Sequence, residues 1–146
     1  MSVTVRMDSS GGRARAEAAA RRATQVVMGE LSAAFQQSFT AVAWNWPRQT
    51  VRSNGSIVGS PRNLIDTANL RQSHSWQMTG PYQATFRWSA SYATAVHEGA
   101  VLRGGTRLPP RPWCRATTGQ ENVDGVVVYN LDRRLRDVWL GYMRGR

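Results

Sequence analysis

The sequence predicts an α+β fold in which a long N-terminal amphipathic helix and a C-terminal helix pack on a small antiparallel sheet built around a hairpin. Apolar residues recur at helical spacing over 13–46 and again over 127–142, which indicates the two helices. Between them, two runs that alternate apolar and polar residues flank the turn Thr79-Gly80-Pro81, which indicates the hairpin. The apolar face of that hairpin needs a cover, and the long helix supplies one.

The first twelve residues precede the predicted helix and end in the polar run Asp8-Ser9-Ser10-Gly11-Gly12. This composition favours a flexible or partner-ordered arm over residues 1–12. Residues 13–146 are expected to form a single domain, because a chain of 146 residues can bury a core without disulfides or metals.

The first helix is expected to run from residue 13 until Pro47 stops it. At 1.5 Å per residue it would be ~50 Å long, so part of it should project or pack on a neighbour. Arginines crowd its first turns, where the helix dipole disfavours cations, and this indicates either an external anion or a solvated helix end. These arginines are Arg13, Arg15, Arg21 and Arg22. The apolar stripe consists of Ala23, Val27, Leu31, Phe35, Phe39, Val42 and Trp46.

Residues 48–66 are rich in Ser, Asn, Gly, Pro and Arg, and they predict a long loop with at most short strands near Val51 and at 57–58. The hairpin that follows is expected to pack one apolar face against Val27, Leu31 and Phe35 of the helix. The members of this face are Leu70, His74, Trp76, Met78, Tyr82, Ala84, Phe86 and Trp88.

Residues 91–98 predict a short helix capped by Ser91, with Tyr92, Ala95 and Val96 pointing inward. Glycines, prolines and arginines then predict a loop over 99–112. The tail predicts the C-terminal helix, although the β-branched run VVVY also allows a strand at its first turn. The apolar stripe of this helix consists of Val127, Leu131, Leu135, Val138 and Tyr142.

The sequence does not indicate an enzyme, a metal site or a cofactor site. His97-Glu98 fails the zinc-protease pattern HExxH, because Val101 stands where the second histidine is needed. A Cys114–His97 nucleophile pair is conceivable, but single cysteines are mostly inert packing residues. The glycine loop at 103–106 lacks the helix start that would cradle a phosphate. No pair of carboxylates suited to acid–base catalysis is evident.

Charge is the compositional anomaly. There are 19 basic residues, all of them arginine, against 9 acidic ones, for a formal net charge of +10. The absence of lysine has two explanations, an arginine-rich surface for phosphate or carboxylate partners and a GC-rich genome that encodes arginine in place of lysine. A GC-rich genome does not explain the excess of positive charge, which favours a nucleic acid or an acidic protein as neighbour. The lone Cys114 and the absence of a signal-like N-terminus or of a run of ~18 apolar residues predict a soluble protein made in a reducing compartment.

Three segments occur in order along the chain: TANLRQSHSW (67–76), YATAVHEGA (92–100) and PRPWCRAT (110–117). Together with the long first helix, they resemble the neck or tail-completion proteins (minor tail components) of tailed bacteriophages, over roughly residues 15–143. That family shows T-G-x-L-R-x-S, then Y-A-x-x-V-E-x-G, then R-P-F-[L/I]-x-x-A before a C-terminal helix. The chain departs from the pattern at Ala68, which replaces a glycine, at His97, which is inserted before Glu98, and at Trp113, which replaces a phenylalanine.

The resemblance implies a structural virion protein at the head–tail junction, made in the host cytoplasm, without catalytic role or cofactor. It implies a homo-oligomeric ring, with six copies expected and twelve as the alternative. The ring would join the head-closure or connector ring to the tail terminator or tube proteins and let genomic DNA pass. Glu98 is then expected to pair with an arginine. Ring or DNA contacts are expected at Arg103, Arg107, Arg111, Arg13, Arg15, Arg21 and Arg22.

The main alternative is a small arginine-rich nucleic-acid-binding module that uses tryptophans for base stacking. The pattern disfavours it, because Trp76 and Trp88 fall on the apolar hairpin face and Trp46 and Trp139 fall on or beside helical stripes. A third class, a ribonuclease-like or toxin enzyme, needs a general acid–base pair that the sequence does not offer.

Overall fold

The computed structural model describes residues 1–6, 14–44, 49–61, 63–65 and 68–145. It confirms the α+β class, with a long helix near the N-terminus and a C-terminal helix packed with a small antiparallel sheet. The elements in chain order are β1 (Ser2–Arg6), α1 (Ala14–Ser38), β2 (Thr50–Val51), β3 (Ile57–Val58), α2 (Asn69–Gln72), β4 (His74–Gly80), β5 (Gln83–Trp88), α3 (Ala93–Glu98), β6 (Ala100–Val101), β7 (Arg107–Leu108), α4 (Trp113–Thr118) and α5 (Leu131–Met143).

The first residues form a strand, which corrects the prediction of an arm over 1–12. β1 pairs antiparallel with β5, with Val3 opposite Phe86 and Val5 opposite Ala84. The three-stranded sheet has the order β1-β5-β4. Val3 and Val5 alternate with polar residues and pack on the core, so the strand carries a period-two signal of its own. Residues 7–12 of the predicted arm lie outside the described residues.

Helix α1 ends at Ser38, earlier than the predicted stop at Pro47. At 1.5 Å per residue it is about 37 Å long rather than ~50 Å. The Ser38 hydroxyl donates to the Phe35 carbonyl at 2.6 Å, and the Trp44 indole N–H donates to the Ser38 carbonyl at 2.9 Å. These bonds satisfy carbonyls that a longer helix would have used. Val42, predicted on the apolar stripe, is 68% exposed in the turn that follows.

The predicted hairpin is confirmed as β4 and β5. Trp76 lies opposite Phe86 and His74 lies opposite Trp88, so the expected residues share one face. The Phe35 ring of α1 meets the rings of Phe86 and Trp88 edge-on, at centroid distances of 5.2 and 5.6 Å. The sheet face therefore packs on α1, as predicted.

Leu70 was expected on the strand but is buried in the single turn of α2. This turn begins after Ala68, whose φ of 65° is in the left-handed region. The strand starts only at His74, because the helical turn takes up the residues before it. The short strands expected near Val51 and at 57–58 are confirmed as the two-stranded ribbon β2–β3.

Helix α3 is confirmed within 91–98, and Val96 packs against the core as predicted, but the most buried residues differ from the prediction. The helix buries Ala93 and His97, whereas Tyr92 is 45% exposed. Ser91 does not cap it; Tyr92 takes the cap position without a side-chain hydrogen bond. The predicted loop 99–112 contains the two-stranded ribbon β6–β7.

The C-terminal helix starts at Leu131, later than the apolar pattern indicated. Val127 is 77% exposed and belongs to an extended segment that is neither helix nor strand. The helix begins there because the Asn130 side chain accepts a hydrogen bond from the Arg133 backbone N–H at 3.0 Å. The Trp139 indole donates to the Ala16 carbonyl at 3.4 Å, so the end of α5 lies against the start of α1.

The core lies between α1, the hairpin face and α4. Its aromatic members are Phe35, Phe39, Trp44, Phe86, Trp88 and Trp113. Over the described ranges, no helix combines the length and the apolar character needed to cross a membrane.

Candidate assembly interface

His97 is a buried junction between α3 and α4. Its side chain is 3% exposed, and its ring meets that of Trp113 edge-on at 4.6 Å. The backbone N–H of Cys114 donates to His97 Nε2 at 3.3 Å, which requires a lone pair on that nitrogen. Nδ1 therefore carries the proton and donates to Glu98 Oε1 at 2.7 Å. With both ring nitrogens in use, His97 is positioned to hold structure rather than to transfer protons.

Glu98 continues this network at the surface. Arg115 Nη1 donates to both Glu98 oxygens, at 2.8 and 3.0 Å, and Arg115 Nε donates to Glu121 Oε2 at 3.0 Å. The expected pairing of Glu98 with an arginine is thus confirmed, with Arg115 as the partner. The Arg115 hydrogen bonds hold the pKa of Glu98 below its usual range, whereas burial lowers the pKa of His97. A neutral imidazole and an ionised carboxylate are the favoured pair.

Cys114 does not form a nucleophile pair with His97. The contact between the two residues is made by the Cys114 backbone, and the thiol belongs to a residue that is 5% exposed. Burial raises the pKa of the Cys114 thiol far above its ordinary value, so the reactive thiolate does not form.

A contact between Ser32 and His74 was not anticipated from the sequence. Ser32 Oγ lies 2.7 Å from His74 Nε2, and the His74 ring stacks on Trp88 at 4.6 Å. Burial lowers the pKa of His74, so the ring is neutral at pH 7. Ser32 is 7% exposed inside the core between α1 and the sheet, where a substrate has no access. The pair joins the helix to the sheet. Among the described residues, no group of three His, Cys, Asp or Glu side chains could hold a metal ion.

The β6–β7 ribbon, residues 100–108, follows this cluster along the chain. It is called the arm from here on and is distinct from the N-terminal arm predicted over residues 1–12. It follows Glu98 directly, and Gly99 turns the chain with φ of 81°. A Cβ at Gly99 would lie 2.8 Å from the Leu108 carbonyl, so only glycine fits there. Every residue from 101 to 107 is exposed, including Val101 at 68% and Leu102 at 46%.

Two of the three predicted loop arginines, Arg103 and Arg107, lie on the exposed arm. The prediction that the third, Arg111, lies at the surface is wrong, because Arg111 is 0% exposed. Its backbone N–H donates to the carbonyls of Val96 and His97 at 3.0 and 3.1 Å, which draws the chain into the core just before α4. Its side chain contributes nothing to the outer surface of this chain.

A second ribbon, β2–β3, also exposes apolar side chains. Val51 is 68% and Ile57 is 69% exposed, and they lie opposite each other in the register. β-Branched residues directly opposed on a ribbon form a small flat apolar patch. Each ribbon thus exposes two apolar side chains, Val51 and Ile57 on one and Val101 and Leu102 on the other.

Exposed arginines lie on both α1 and α5, near the start of each helix. Arg15, Arg21 and Arg22 are exposed on α1, as predicted, whereas Arg13 lies outside the described residues. Arg15 donates to the Met143 carbonyl at 3.3 Å, which ties the two helix ends together. The sequence-based prediction missed the exposed Arg133 and Arg136 on α5, although their three-residue spacing puts them on one helix face.

Not all of this charge is available to a partner. Arg134 binds Glu30 through two nitrogens, with Nη2 at 2.8 Å from Oε1 and Nε at 2.9 Å from Oε2. The Tyr129 hydroxyl donates to the same carboxylate at 2.6 Å. The Arg134 hydrogen bonds lower the pKa of Glu30, so the pair stays ionised and fastens α5 to α1.

An open cleft of about 870 Å³ runs beside β1. β1 forms one wall, and residues from α3, α4 and the start of α5 form the other. Apolar side chains that line it include those of Val3, Val5, Val128 and Leu131. No residue of the arm lines this cleft.

The fold and the exposed features define an α+β protein with two ribbons that expose apolar side chains, two helices that carry exposed arginines and a cleft along its sheet edge. No family model, curated protein or solved structure matches the chain.

Proposed function

We propose that the protein is a non-enzymatic ring subunit at the head–tail junction of a tailed phage, where it joins the head-closure ring to the tail tube. The observation that carries the proposal is the arm. Its exposed residues 101–107 include Val101 and Leu102, and a hydrogen-bonded cluster holds its root. A hydrogen-bonded ribbon with exposed apolar side chains is suited to contact the next subunit.

The ordered motifs add support at the level of single residues. The family pattern has glycine where this chain has Ala68, and Ala68 adopts φ of 65°, a conformation that glycine reaches most readily. The segment after Arg111 begins α4 and buries Trp113, at the place where the family has a phenylalanine. Glu98, from the second motif, anchors the arm through Arg115. Each motif thus has a local structural role near the arm or the sheet entry.

The rival function, a nucleic-acid-binding module, is favoured by the exposed arginines of α1 and α5. It would use exposed tryptophans as stacking platforms. Trp44, Trp88 and Trp113 are 2%, 0% and 0% exposed, so these three serve the core instead. In the ring, the same arginines would face DNA in the lumen or acidic residues on adjacent rings.

Imaging of the virion neck tests the proposal. We expect a ring of this chain between the connector and the tail tube, with six copies favoured and twelve as the alternative. A virion in which the chain is absent from the junction, or present there as a lone copy, would contradict it.

A further inference from the structure

The outer edge of β1 is open for pairing. The Met1 amino group donates to the Trp88 carbonyl at 3.1 Å, and the Trp88 N–H donates to the Met1 carbonyl at 3.0 Å. Hydrogen-bonded pairs alternate along an antiparallel ladder, so Val3 and Val5 also turn their backbone groups toward β5. The backbone groups of Ser2, Thr4 and Arg6 therefore point away from the sheet, at an edge that no other described strand pairs with.

The two edges of this sheet differ. At the β4 edge the register shifts between Met78 and Gly80, and such a bulge blunts an edge strand. β1 pairs without a shift over Ser2–Arg6, contains no proline, and carries a single charge at its end. Proteins that protect an edge use short strands, charges, prolines or bulges. β1 has almost none of these and is suited to accept another strand.

The cleft beside β1 gives such a strand a place to lie. Its volume of about 870 Å³ falls in the ~300–1,000 Å³ range of sites that enclose ligands. Val3, Val5 and Val128 offer apolar contacts to alternate side chains of an added strand. Asp132 lies at the cleft, is exposed, and forms no ion pair with any described residue.

The arm has the chemistry that matches this cleft. It carries the exposed apolar Val101 and Leu102, and the exposed Arg103 and Arg107, which form no ion pair with the described part of the chain. The extended part of the arm is shorter than β1: β6 covers Ala100–Val101, and the Leu102 N–H continues the ribbon by donating to the Thr106 carbonyl at 2.7 Å. Three extended residues span ~10 Å at ~3.3 Å per residue, so the arm pairs with part of the five-residue β1. The arm does not line its own cleft, so a contact between arm and cleft requires a second copy.

We infer that the arm of one copy adds as a strand to the free edge of β1 in a second copy, with Arg103 or Arg107 facing Asp132. The contact is head-to-tail, since arm and cleft are different surfaces, and repetition of it builds a ring or a filament. The inference rests on the proposed function, in that it supplies the contact between neighbouring subunits that a ring needs.

Cross-linking between two differently labelled chains tests the inference. One chain carries Ser2→Cys at the cleft, the other carries Val101→Cys on the arm, and the mixture is treated with a short bismaleimide at millimolar protein. The native Cys114 is buried with a raised pKa, so the wild-type chain provides the background. We expect the mixed dimer to form at least ~10-fold more than with Ile57→Cys, which is equally exposed on the other ribbon.

A proline at Thr4 tests strand addition itself. The Thr4 N–H points away from β5, so Thr4→Pro removes a donor that only an incoming strand uses. In the Ser2→Cys chain it should abolish the mixed cross-link while thermal unfolding shows the fold retained. If Thr4→Pro unfolds the chain, Asp132→Arg in the Ser2→Cys chain is used instead. Asp132→Arg should reduce the mixed cross-link about tenfold. Arg103→Asp together with Arg107→Asp in the Val101→Cys chain should restore the mixed cross-link.

Two outcomes would overturn the inference: a Ser2→Cys dimer that dominates, which would mean that β1 pairs with itself, or a mixed cross-link no stronger than the Ile57→Cys control. Either result concerns this contact alone, because the ring is tested separately by imaging of the neck.

Discussion

At the scale of single residues, His97 shows how a histidine beside a glutamate can be structural. Its two ring nitrogens bond the Cys114 backbone and the Glu98 carboxylate, and its ring is buried against Trp113. A catalytic base needs an open lone pair near a substrate, and His97 has none. The residue instead ties α3 to α4 at the root of the arm.

This environment predicts a pH dependence of folding. Burial lowers the pKa of His97 in the folded state, so the unfolded chain binds the proton more readily. The neutral His97 side chain therefore contributes fully to stability above the ordinary histidine pKa of about 6.5, and this contribution is lost as the pH falls below that pKa. His97→Gln should flatten the fall in unfolding free energy between pH 7 and 5, by at most ~1.4 kcal/mol per pH unit. Urea unfolding at several pH values measures this, and an unchanged slope in the variant would contradict it.

A second residue-scale prediction concerns Ala68. Its φ of 65° costs an L-residue roughly 1–2 kcal/mol, whereas glycine loses ~0.5–1 kcal/mol of backbone entropy. Ala68→Gly should therefore raise the unfolding free energy by up to ~1 kcal/mol. The same substitution at Ala95, inside the right-handed helix α3, should lower it by ~1 kcal/mol. Denaturant titrations of the two variants compare them, and shifts of the same sign would show that the strain at Ala68 is absent.

The sequence predicted some single-residue roles and missed others for physical reasons. Pairing of Glu98 with an arginine was predictable from charge, because a surface carboxylate in a chain of net charge +10 meets arginines. Of the residues predicted to point inward from α3, Val96 packs against the core but Tyr92 is exposed, since a six-residue helix is too short for its apolar pattern to fix the phase. Burial of Arg111 was hidden as well, because a Gly- and Pro-rich stretch predicts exposed turns.

At the scale of elements, the hairpin and α1 form the main packing unit. Phe86 is fully buried between the Phe35 and Trp76 rings, whereas the neighbouring Thr85 points outward and bonds Thr4 Oγ1 at 3.1 Å. Phe86→Ala should cost ~3–5 kcal/mol, a large part of the ~5–15 kcal/mol of a typical domain. Thr85→Ala should cost less than ~1 kcal/mol. Soluble yield and melting temperature measure the effect of both variants. Small, equal effects would contradict the alternation of buried and outward-facing side chains along β5.

Elements were predictable where a local pattern specifies them. The hairpin was found because its period-two pattern surrounds a Gly-Pro turn. The strand β1 was missed although Val3 and Val5 alternate with polar residues, because a five-residue alternation is a weak local signal and the partner strand β5 lies about eighty residues away. The end of α1 was placed too late, because Phe39 continues the apolar stripe although it packs in the core from a turn.

At the scale of the whole molecule, the positive charge is distributed over exposed elements. Arginines lie on the arm, on α1 and on α5, whereas the carboxylates of Glu30, Glu98 and Glu121 are occupied by arginine partners. The remaining excess creates a long-range positive potential. Nothing in the amino-acid pattern could assign these arginines to DNA or to a neighbouring protein, because both partners present negative charge to the same guanidinium groups.

DNA binding by the isolated chain separates these two partners. In the proposed ring, DNA passes without being held, so the single chain should bind short duplex DNA only in the nonspecific range, with Kd weaker than ~10⁻⁶ M at physiological salt. Replacement of Arg21, Arg22, Arg133 and Arg136 by glutamine should weaken this binding and reduce its dependence on salt, by ~0.9 in slope for each phosphate that the protein no longer neutralises. All four side chains are exposed and in no ion pair with the described residues, so the melting temperature should not change. Replacement of Arg103 and Arg107 by glutamine is the matched control, because it removes exposed arginines from the arm instead of from the helices. Submicromolar, steeply salt-dependent binding by the wild-type chain would instead favour the nucleic-acid-binding module, because a single copy would then suffice for function.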